Sequence, residues 1–290
     1  MIGHHQEKEQ MVTIEWAPLS AADLPAIADL ARRCLAHDGG LPATTSPSFL
    51  ERRYAAGPGV GAYAGGRLVA CAAARPAGQA TAVTGLVDPA HRGRGLGSGL
   101  LDRLADGPVR LETESLTPEA DALFRARGFR RTFAEDVLRR DLARPLPDAP
   151  LPRELAVEEW SPATEELFHA AYSASFADRP GFPGWSRQEW VDWLVDDEFL
   201  PGCSLVARTA DGAAAGFVAC AEGFLIQVGA VPSWRRRGLA RALAVAALGR
   251  MRAAGATEVF LDVNENNPAS AALFRGLGFE PVARRARYES

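Results

Sequence analysis

Two short runs carry the chemistry that is easiest to read in this sequence, Arg92-Gly93-Arg94-Gly95-Leu96-Gly97 and Arg235-Arg236-Arg237-Gly238-Leu239-Ala240. Each sets residues with little or no side chain just ahead of a helical apolar periodicity: Leu96, Leu100 and Leu104 in one case, Leu239, Leu243, Ala247 and Met251 in the other. The N–H groups of a helix N-terminus are thereby left open to a ligand, and the helix dipole there favours negative charge. Small residues let a pyrophosphate approach the backbone closely, and the flanking guanidiniums add charge-assisted hydrogen bonds. A phosphate-bearing ligand fits. Spacing removes two better-known phosphate loops, because there is no GKS or GKT and neither run satisfies G-x-G-x-x-G. Nucleotide hydrolysis and hydride transfer therefore lose support. One such run reads equally well as a turn with solvated arginines; two in the same context do not.

The elements that position these runs follow from local patterns. Short apolar stretches bounded by Gly or Asp, at 67–74, 82–87, 216–221 and 224–231, read as strands in hairpins. The last strand of each pair feeds a Gly-bearing turn and then a helix. Ser20 is expected to cap a helix with Ile27, Leu30, Ala31 and Cys34 on one face, and Ser161-Pro162 to open one carrying Leu167, Phe168 and Ala171. Val259 to Val263 is a further strand, after which Asn267-Pro268 opens a last helix that Gly278 closes.

These patterns occur twice. Glu15-Trp16 returns as Glu159-Trp160, Val69-Ala70-Cys71-Ala72 as Val218-Ala219-Cys220-Ala221, and Pro89-x-x-Arg92-x-x-Gly95-Leu96-Gly97 as Pro232-x-x-Arg235-x-x-Gly238-Leu239-Ala240. Leu123-Phe124-Arg125-x-x-Gly128-Phe129 returns as Leu273-Phe274-Arg275-x-x-Gly278-Phe279. The order is kept at offsets between 143 and 150 residues. That period is too long for a solenoid, so each copy must be a complete α/β fold. The expected domains are 11–143 and 153–290, joined by a stiff linker at 144–152 that holds four prolines in nine residues. Residues 1–10 receive no role, and Met11 is an alternative start.

Composition narrows the function classes. The chain has 290 residues, is 47% hydrophobic and 23% charged, and has a net charge of −4. That is a globular balance with no field to draw in nucleic acid. No apolar run is long enough to span a membrane and the first residues are polar, so a cytoplasmic protein with no membrane or nucleic-acid partner is expected. Cys34, Cys71, Cys203 and Cys220 are far apart and form no CxxC, which suggests buried apolar positions rather than a metal site.

Strand, P-x-x-R-x-x-G-x-G/A, helix, strand and N-x-x-A-x-x-L-[YF]-x-x-x-G-F together resemble the GNAT acetyltransferase superfamily, in both copies and over nearly the whole chain. The second copy is the fuller match, through Pro232 to Arg235 and Asn267 to Phe279. The tandem arrangement is similar to that of two-lobed acetyltransferases. The resemblance implies an α+β fold in each copy, a mixed, mostly antiparallel sheet flanked by helices and splayed beside the strand that enters the loop. It also implies acetyl-CoA as cosubstrate, with the pantetheine arm in the splay and the pyrophosphate on the loop. The reaction implied is direct attack of a neutral amine on the thioester, the acceptor being a small-molecule or peptide amine and the protein a monomer or homodimer.

Carried onto this sequence, the resemblance assigns cofactor binding to Val228, Ala230, Val231, Arg235, Arg236, Arg237, Gly238, Leu239, Ala240, Asn267 and Phe274. A backbone N–H near Ala230 becomes the oxyanion donor, with a β-bulge expected at Gly229. A second cofactor site falls on Leu86, Val87, Arg92, Gly93, Arg94, Gly95, Leu96 and Gly97. The family's usual acid, a tyrosine in the last helix, is replaced by Phe124 and Phe274, which leaves the proton-transfer groups open: Glu222 and Asp262 are the nearest candidates by sequence, Tyr288 offers a hydroxyl from the final strand, and solvent or CoA itself is the alternative. Thr117 stands where the second copy has Asn267, and the helix after the loop is shorter in the first copy. On that basis the second copy is expected to be the working one and the first a degenerate or regulatory lobe. Aromatic residues from Tyr172 to Trp193 read either as an acceptor pocket or as helix packing, and Asp192, Asp196, Asp197 and Glu198 as an attractor for a cationic amine or as a solvated face. A non-catalytic CoA sensor or scaffold is the alternative to an enzyme.

Overall fold

The computed structural model describes residues 13–104, 107–179 and 181–290. Residues 11 and 12, where the first domain is expected to begin, lie outside them. The elements in chain order are β1 (Ile14–Pro18), α1 (Leu24–Asp38), α2 (Pro47–Leu50), β2 (Gly59–Ala64), β3 (Arg67–Ala77), β4 (Ala80–Val87), α3 (Leu96–Leu104), β5 (Val109–Thr113), α4 (Pro118–Ala126) and β6 (Arg130–Asp141). They continue as β7 (Ala156–Glu159), α5 (Glu165–Phe176), α6 (Arg187–Leu194), β8 (Leu205–Arg208), β9 (Ala214–Ala221), β10 (Phe224–Ala230), α7 (Leu239–Ala253), β11 (Glu258–Asn264), α8 (Pro268–Gly276) and β12 (Glu280–Glu289).

The described residues fold into two compact units, 13–136 with 282–290, and 137–281. This differs from a division at the proline-rich linker. The first unit holds β1-β2-β3-β4-β5-β12 in that order and the second β11-β10-β9-β8-β7, while β6 gives residues 130–136 to the first unit and 137–141 to the second, so the first unit's sheet takes in the strand that ends the second sequence copy. In the first unit β12 lies antiparallel to β5, with Tyr288 opposite Leu111 and Ala286 opposite Thr113. The sequence pattern is silent on this, since a strand's alternation says which face is buried and not which neighbour it pairs with.

Within the first unit α1 packs Ile27, Leu30, Ala31 and Cys34 onto one face of the sheet, against Leu68, Cys71, Ala73 and Tyr54. Spacing of this kind lines one side of a helix. The other face is covered by α3 through Leu96, Leu100 and Leu101, which meet Val69, Val83 and Leu111. Ser20 caps a 3₁₀ turn, Ala21–Asp23, that leads into α1, its N–H donating to the Asp23 carboxylate at 2.8 Å. In the second unit α7 covers one face through Leu239, Leu243, Ala247 and Met251. On the other face α5 and α6 pack Phe168, Tyr172 and Trp190 against Phe217. Helix α5 starts three residues after the expected Pro162, because Thr164 Oγ1 accepts from Ser161 N–H at 2.9 Å and closes a turn first.

Candidate functional site

The two Gly-bearing runs fold as the sequence pattern demands, each bridging the end of a strand and a helix N-terminus. In the first unit Gly93 and Gly95 have φ of 73° and 79°, and a Cβ at either would meet nothing within 4 Å, so their backbone faces open space. In the second unit Gly238 has φ 81°, but the residue matching Gly93 is Arg236, held at φ 61°. Only glycine enters that region without penalty. The first copy therefore carries the less strained loop.

Ahead of each loop two parallel strands part. In the first unit β4 and β5 pair from Thr81 with Val109 to Thr84 with Glu112 and then separate. In the second, β10 and β11 share one pair, Phe224 with Phe260. The N–H of Val231 donates to Ala215 O at 3.0 Å, and alternation along the antiparallel β9–β10 ladder turns the N–H groups of Val228 and Ala230 toward the parting. By the same rule Asp88 N–H donates to Val69 O at 2.8 Å and turns Val87 N–H toward the β4–β5 parting. The bulge in β10 lies between Leu225 and Gln227, not at Gly229, which keeps regular register with Phe217. Gly229 is small for another reason: a Cβ there would stand 2.7 Å from Ser175 Cβ and 2.8 Å from the Phe217 ring.

In the first unit the parting opens into a cavity of about 410 Å³. Seven of the eight residues assigned to a second cofactor site line it: Leu86, Val87, Arg92, Gly93, Gly95, Leu96 and Gly97, with Arg94 outside. The cavity also reaches the α1 side of the sheet, where Cys34, Phe49 and Tyr54 form its wall, and it touches Thr84, Glu112 and Glu114. In the second unit the α5 side of the sheet is filled by rings. Tyr172 and Trp190 stack at 4.8 Å, Trp160 lies 4.8 Å from Phe168, and Trp190 Nε1 donates to Gln227 Oε1 at 3.2 Å. Phe168 and Trp190 are completely buried. Of the two readings of these aromatics, packing holds for Tyr172 and Trp190; Trp193 is exposed.

Several sequence candidates have other duties. Arg92 is clamped to Asp38, Nη1 to Oδ1 at 2.7 Å, and Arg235 to Asp178 at 2.6 and 2.9 Å with Ser175 O at 3.0 Å. These two guanidiniums tie the loop to the end of α1 or α5. Burial pushes the Asp38 carboxyl up, but Arg92 and His37 outweigh it and hold the group below its usual range. Arg237 stacks over Trp234 at 5.0 Å. Asn267 Oδ1 accepts from Ser270 N–H at 3.1 Å as the cap of α8, and Thr117 Oγ1 does the same for α4 at 3.2 Å. The Asn-to-Thr difference is thus one cap for another. Leu239 and Phe274 belong to the second unit's core, with Phe274 packed on Phe279 at 5.6 Å.

The proton-transfer candidates do not gather at the second loop. Glu222 sits in the β9–β10 turn, at the opposite end of β10 from Arg235. Asp262 is half-buried in the middle of β11. Tyr288 lies in the first unit, packed edge-on against Phe124 at 5.1 Å with its hydroxyl on Asp121. Its burial, then Asp121, raise its pKa to about 12. Sequence reasoning missed Thr84 and Tyr54, because neither stands in a motif and only folding brings both to the parting. At the same place Glu112 is gripped by Arg53 and Arg75, and Glu114 by Arg53 at 2.9 Å. Burial pushes the Glu112 carboxyl up, while Arg53 and Arg75 hold it below its ordinary value overall.

Comparison with known proteins bears on this geometry. The acetyltransferase (GNAT) family profile matches residues 156–279, and an acetyltransferase (GNAT) domain profile matches 58–131. The mycothiol acetyltransferase of Clavibacter michiganensis subsp. michiganensis is 32% identical over 233 residues, covering 74% of this chain and 76% of the relative. That of Thermobispora bispora is 34% identical over 209 residues, covering 67% and 70%. Among solved structures, a GCN5-related N-acetyltransferase from Sphaerobacter thermophilus superposes with a TM-score of 0.75 at 24% identity, over 96% of this chain and 95% of that one. A tandem GNAT protein from the clavulanic acid biosynthesis pathway gives 0.65 at 21%, over 96% and 98%. At those identities the structures speak for the fold. Among the described residues no helix is long and apolar enough to cross a membrane, and no group of three or more His, Cys, Asp or Glu could hold a metal ion.

Proposed function

The chain belongs to the GNAT acetyltransferase family, an N-acetyltransferase of a family that uses acetyl-CoA to acetylate amines, and from this premise we propose that the first unit's parted strands hold the reacting acetyl-CoA. The observation that carries the proposal is the cavity of about 410 Å³, which joins the loop, the β4–β5 parting and the α1 side of the sheet in one space. The pyrophosphate would lie over Gly93 to Gly97 at the N-terminus of α3, where open backbone and the helix dipole receive it. Arg94, exposed beside that loop, is the guanidinium placed to add a charge-assisted bond, since Arg92 is spent on Asp38. The pantetheine arm would follow Leu86 and Val87, with the Val87 N–H toward it. The acceptor amine would enter from the α1 side, between Phe49 and Tyr54, and attack the thioester carbonyl as a neutral nucleophile. A nitrogen–carbon bond forms, the carbon–sulfur bond breaks, and the sulfur leaves with the electron pair and takes up a proton.

The second unit supports a second nucleotide site. Its strands part directly after Phe224, and the N–H groups of Val228 and Ala230 face the parting. With aromatic rings filling the α5 side, that unit offers CoA a seat and the acceptor less room. The relatives' name, mycothiol acetyltransferase, makes an amine acceptor related to mycothiol one to try first; a peptide amine is another.

Calorimetric titration of acetyl-CoA into wild type, Gly95→Asp, Gly95→Asn and Gly238→Asp tests the assignment. Asp and Asn strain the φ 79° position alike, so their difference reports charge at the pyrophosphate seat. Gly95→Asp is expected to weaken one site at least tenfold and to abolish turnover, with Gly95→Asn much milder. Turnover lost in Gly238→Asp and kept in Gly95→Asp would move the chemistry to the second unit. No acetyl-CoA binding by wild type would remove the cofactor reading altogether.

A further inference from the structure

Two hydroxyls in the first unit's cavity have no hydrogen-bond partner among the described residues. Thr84 is 5% exposed, its Oγ1 is buried without a partner, and it stands at the last paired position of the β4–β5 ladder, where the strands begin to part. Tyr54 is 4% exposed on a π-helical turn, Glu51–Ala55, and its hydroxyl makes no hydrogen bond. Such turns concentrate at functional sites. Both residues line the same cavity. They also share a side of the sheet. Leu86 packs with Tyr54 and Cys34 under α1, while Val83 and Val87 pack under α3, so strand alternation turns Thr84 toward Tyr54.

A buried hydroxyl without a partner costs stability, and Thr84 Oγ1 in that state, lining one cavity with the Tyr54 hydroxyl, points to a ligand that supplies the missing bond. Resting on the assignment of the reaction to this unit, we infer that Thr84 Oγ1 and Tyr54 Oη are catalytic acceptors that grip the two N–H groups of a primary amine and aim its lone pair at the thioester carbonyl. A primary amine has two N–H donors and one lone pair, so two hydroxyl oxygens on the acceptor side satisfy the donors and leave the lone pair free. An amine with one N–H satisfies only one of them. The pair therefore selects primary over secondary amines and holds the nucleophile in attacking geometry, a form of catalysis by orientation. Burial first, with Cys71, Cys34 and Glu114 adding to it, raises the Tyr54 pKa well above 10, so the phenol stays neutral and does not compete for the amine's lone pair as an anion.

The test uses the full chain with acetyl-CoA and two probe amines, butylamine and N-methylbutylamine, reading CoA release. Thr84→Val and Tyr54→Phe each delete one oxygen at nearly constant shape. Each is expected to lower kcat/KM for butylamine at least tenfold, to leave the acetyl-CoA Kd within twofold, and to narrow the preference over N-methylbutylamine. Thr84→Ser should restore most of the activity. The melting temperature of Thr84→Val should hold or rise, because the hydroxyl it removes is unsatisfied; a purely structural threonine would give a fall. Butylamine turnover within twofold of wild type in both variants, or losses that follow acetyl-CoA affinity, would overturn the inference. If Gly95→Asp left acetyl-CoA binding and turnover intact, the assignment of the first unit would fail instead, and the two failures are told apart by calorimetry.

Discussion

Glu112 shows why a carboxylate at the site is not automatically a base. Arg53 and Arg75 both contact it, and their guanidiniums keep its folded pKa below the ordinary value of 4.5. A base that holds protons so weakly draws little from an ammonium, so its work is to fix Arg53 and the wall beside Tyr54. A depressed folded pKa stabilises the fold fully above the unfolded pKa, and that stability is lost as pH falls through the folded pKa. Glu112→Gln should therefore cost about 1–3 kcal/mol at pH 7, the worth of charge-assisted bonds. Urea titrations repeated from pH 7 down to pH 3 should show the gap to wild type shrinking below pH 4.5. A gap independent of pH would mean that shape, not charge, is what the arginines read.

At the scale of elements, the duplicated loop is a natural comparison of one design in two states. Both loops lead from a strand to a helix and both tie an arginine to the C-terminal end of their unit's first α-helix, Arg92 to Asp38 at the end of α1 and Arg235 to Asp178 just after α5. They differ where one backbone position turns left-handed: Gly93 in the first, Arg236 in the second. The left-handed region costs a side-chain-bearing residue about 1–2 kcal/mol, of which glycine's extra freedom when unfolded returns about 0.5–1 kcal/mol. Arg236→Gly should accordingly stabilise the protein by about 0.5–1 kcal/mol in urea melts. The repeat, the strands and the loop-to-helix junctions were legible in the sequence because each rests on periodicity and turn residues within a short span. The aromatic segment before Trp193 was ambiguous for the same reason: helical spacing of rings is common to packing and to pockets, and only contacts such as the Tyr172–Trp190 stack decide between them.

For the whole molecule, the exchange of final strands changes what counts as a domain. Residues 282–290 complete the first unit and residues 137–281 form the second. Truncation after Pro281 removes the strand that pairs with Val109–Thr113 and buries Ala286 and Tyr288. Hydrogen exchange on that truncated chain should show protection lost first in β5 and around the cavity, with β9 and α7 far less affected. Loss centred on the second unit would contradict the pairing. A fragment cut at the proline-rich linker, 153–290, would lack Val137–Asp141 and is expected to fold poorly by itself.

The sequence by itself determined the tandem repeat, the α/β character of each copy, the anion-ready loops and the acetyltransferase family, because each is written in residue types at short range or in motif order. Tertiary structure decided which strand completes which sheet, where the β10 bulge falls, that Asn267 and Thr117 are equivalent caps, and that Tyr288 belongs with Asp121. It also decided that open space lies between β4 and β5, with Thr84 and Tyr54 facing it from segments 30 residues apart. Strand partners, cavities and unpaired hydroxyls arise from packing between distant segments, and no local pattern encodes what a side chain will find opposite it.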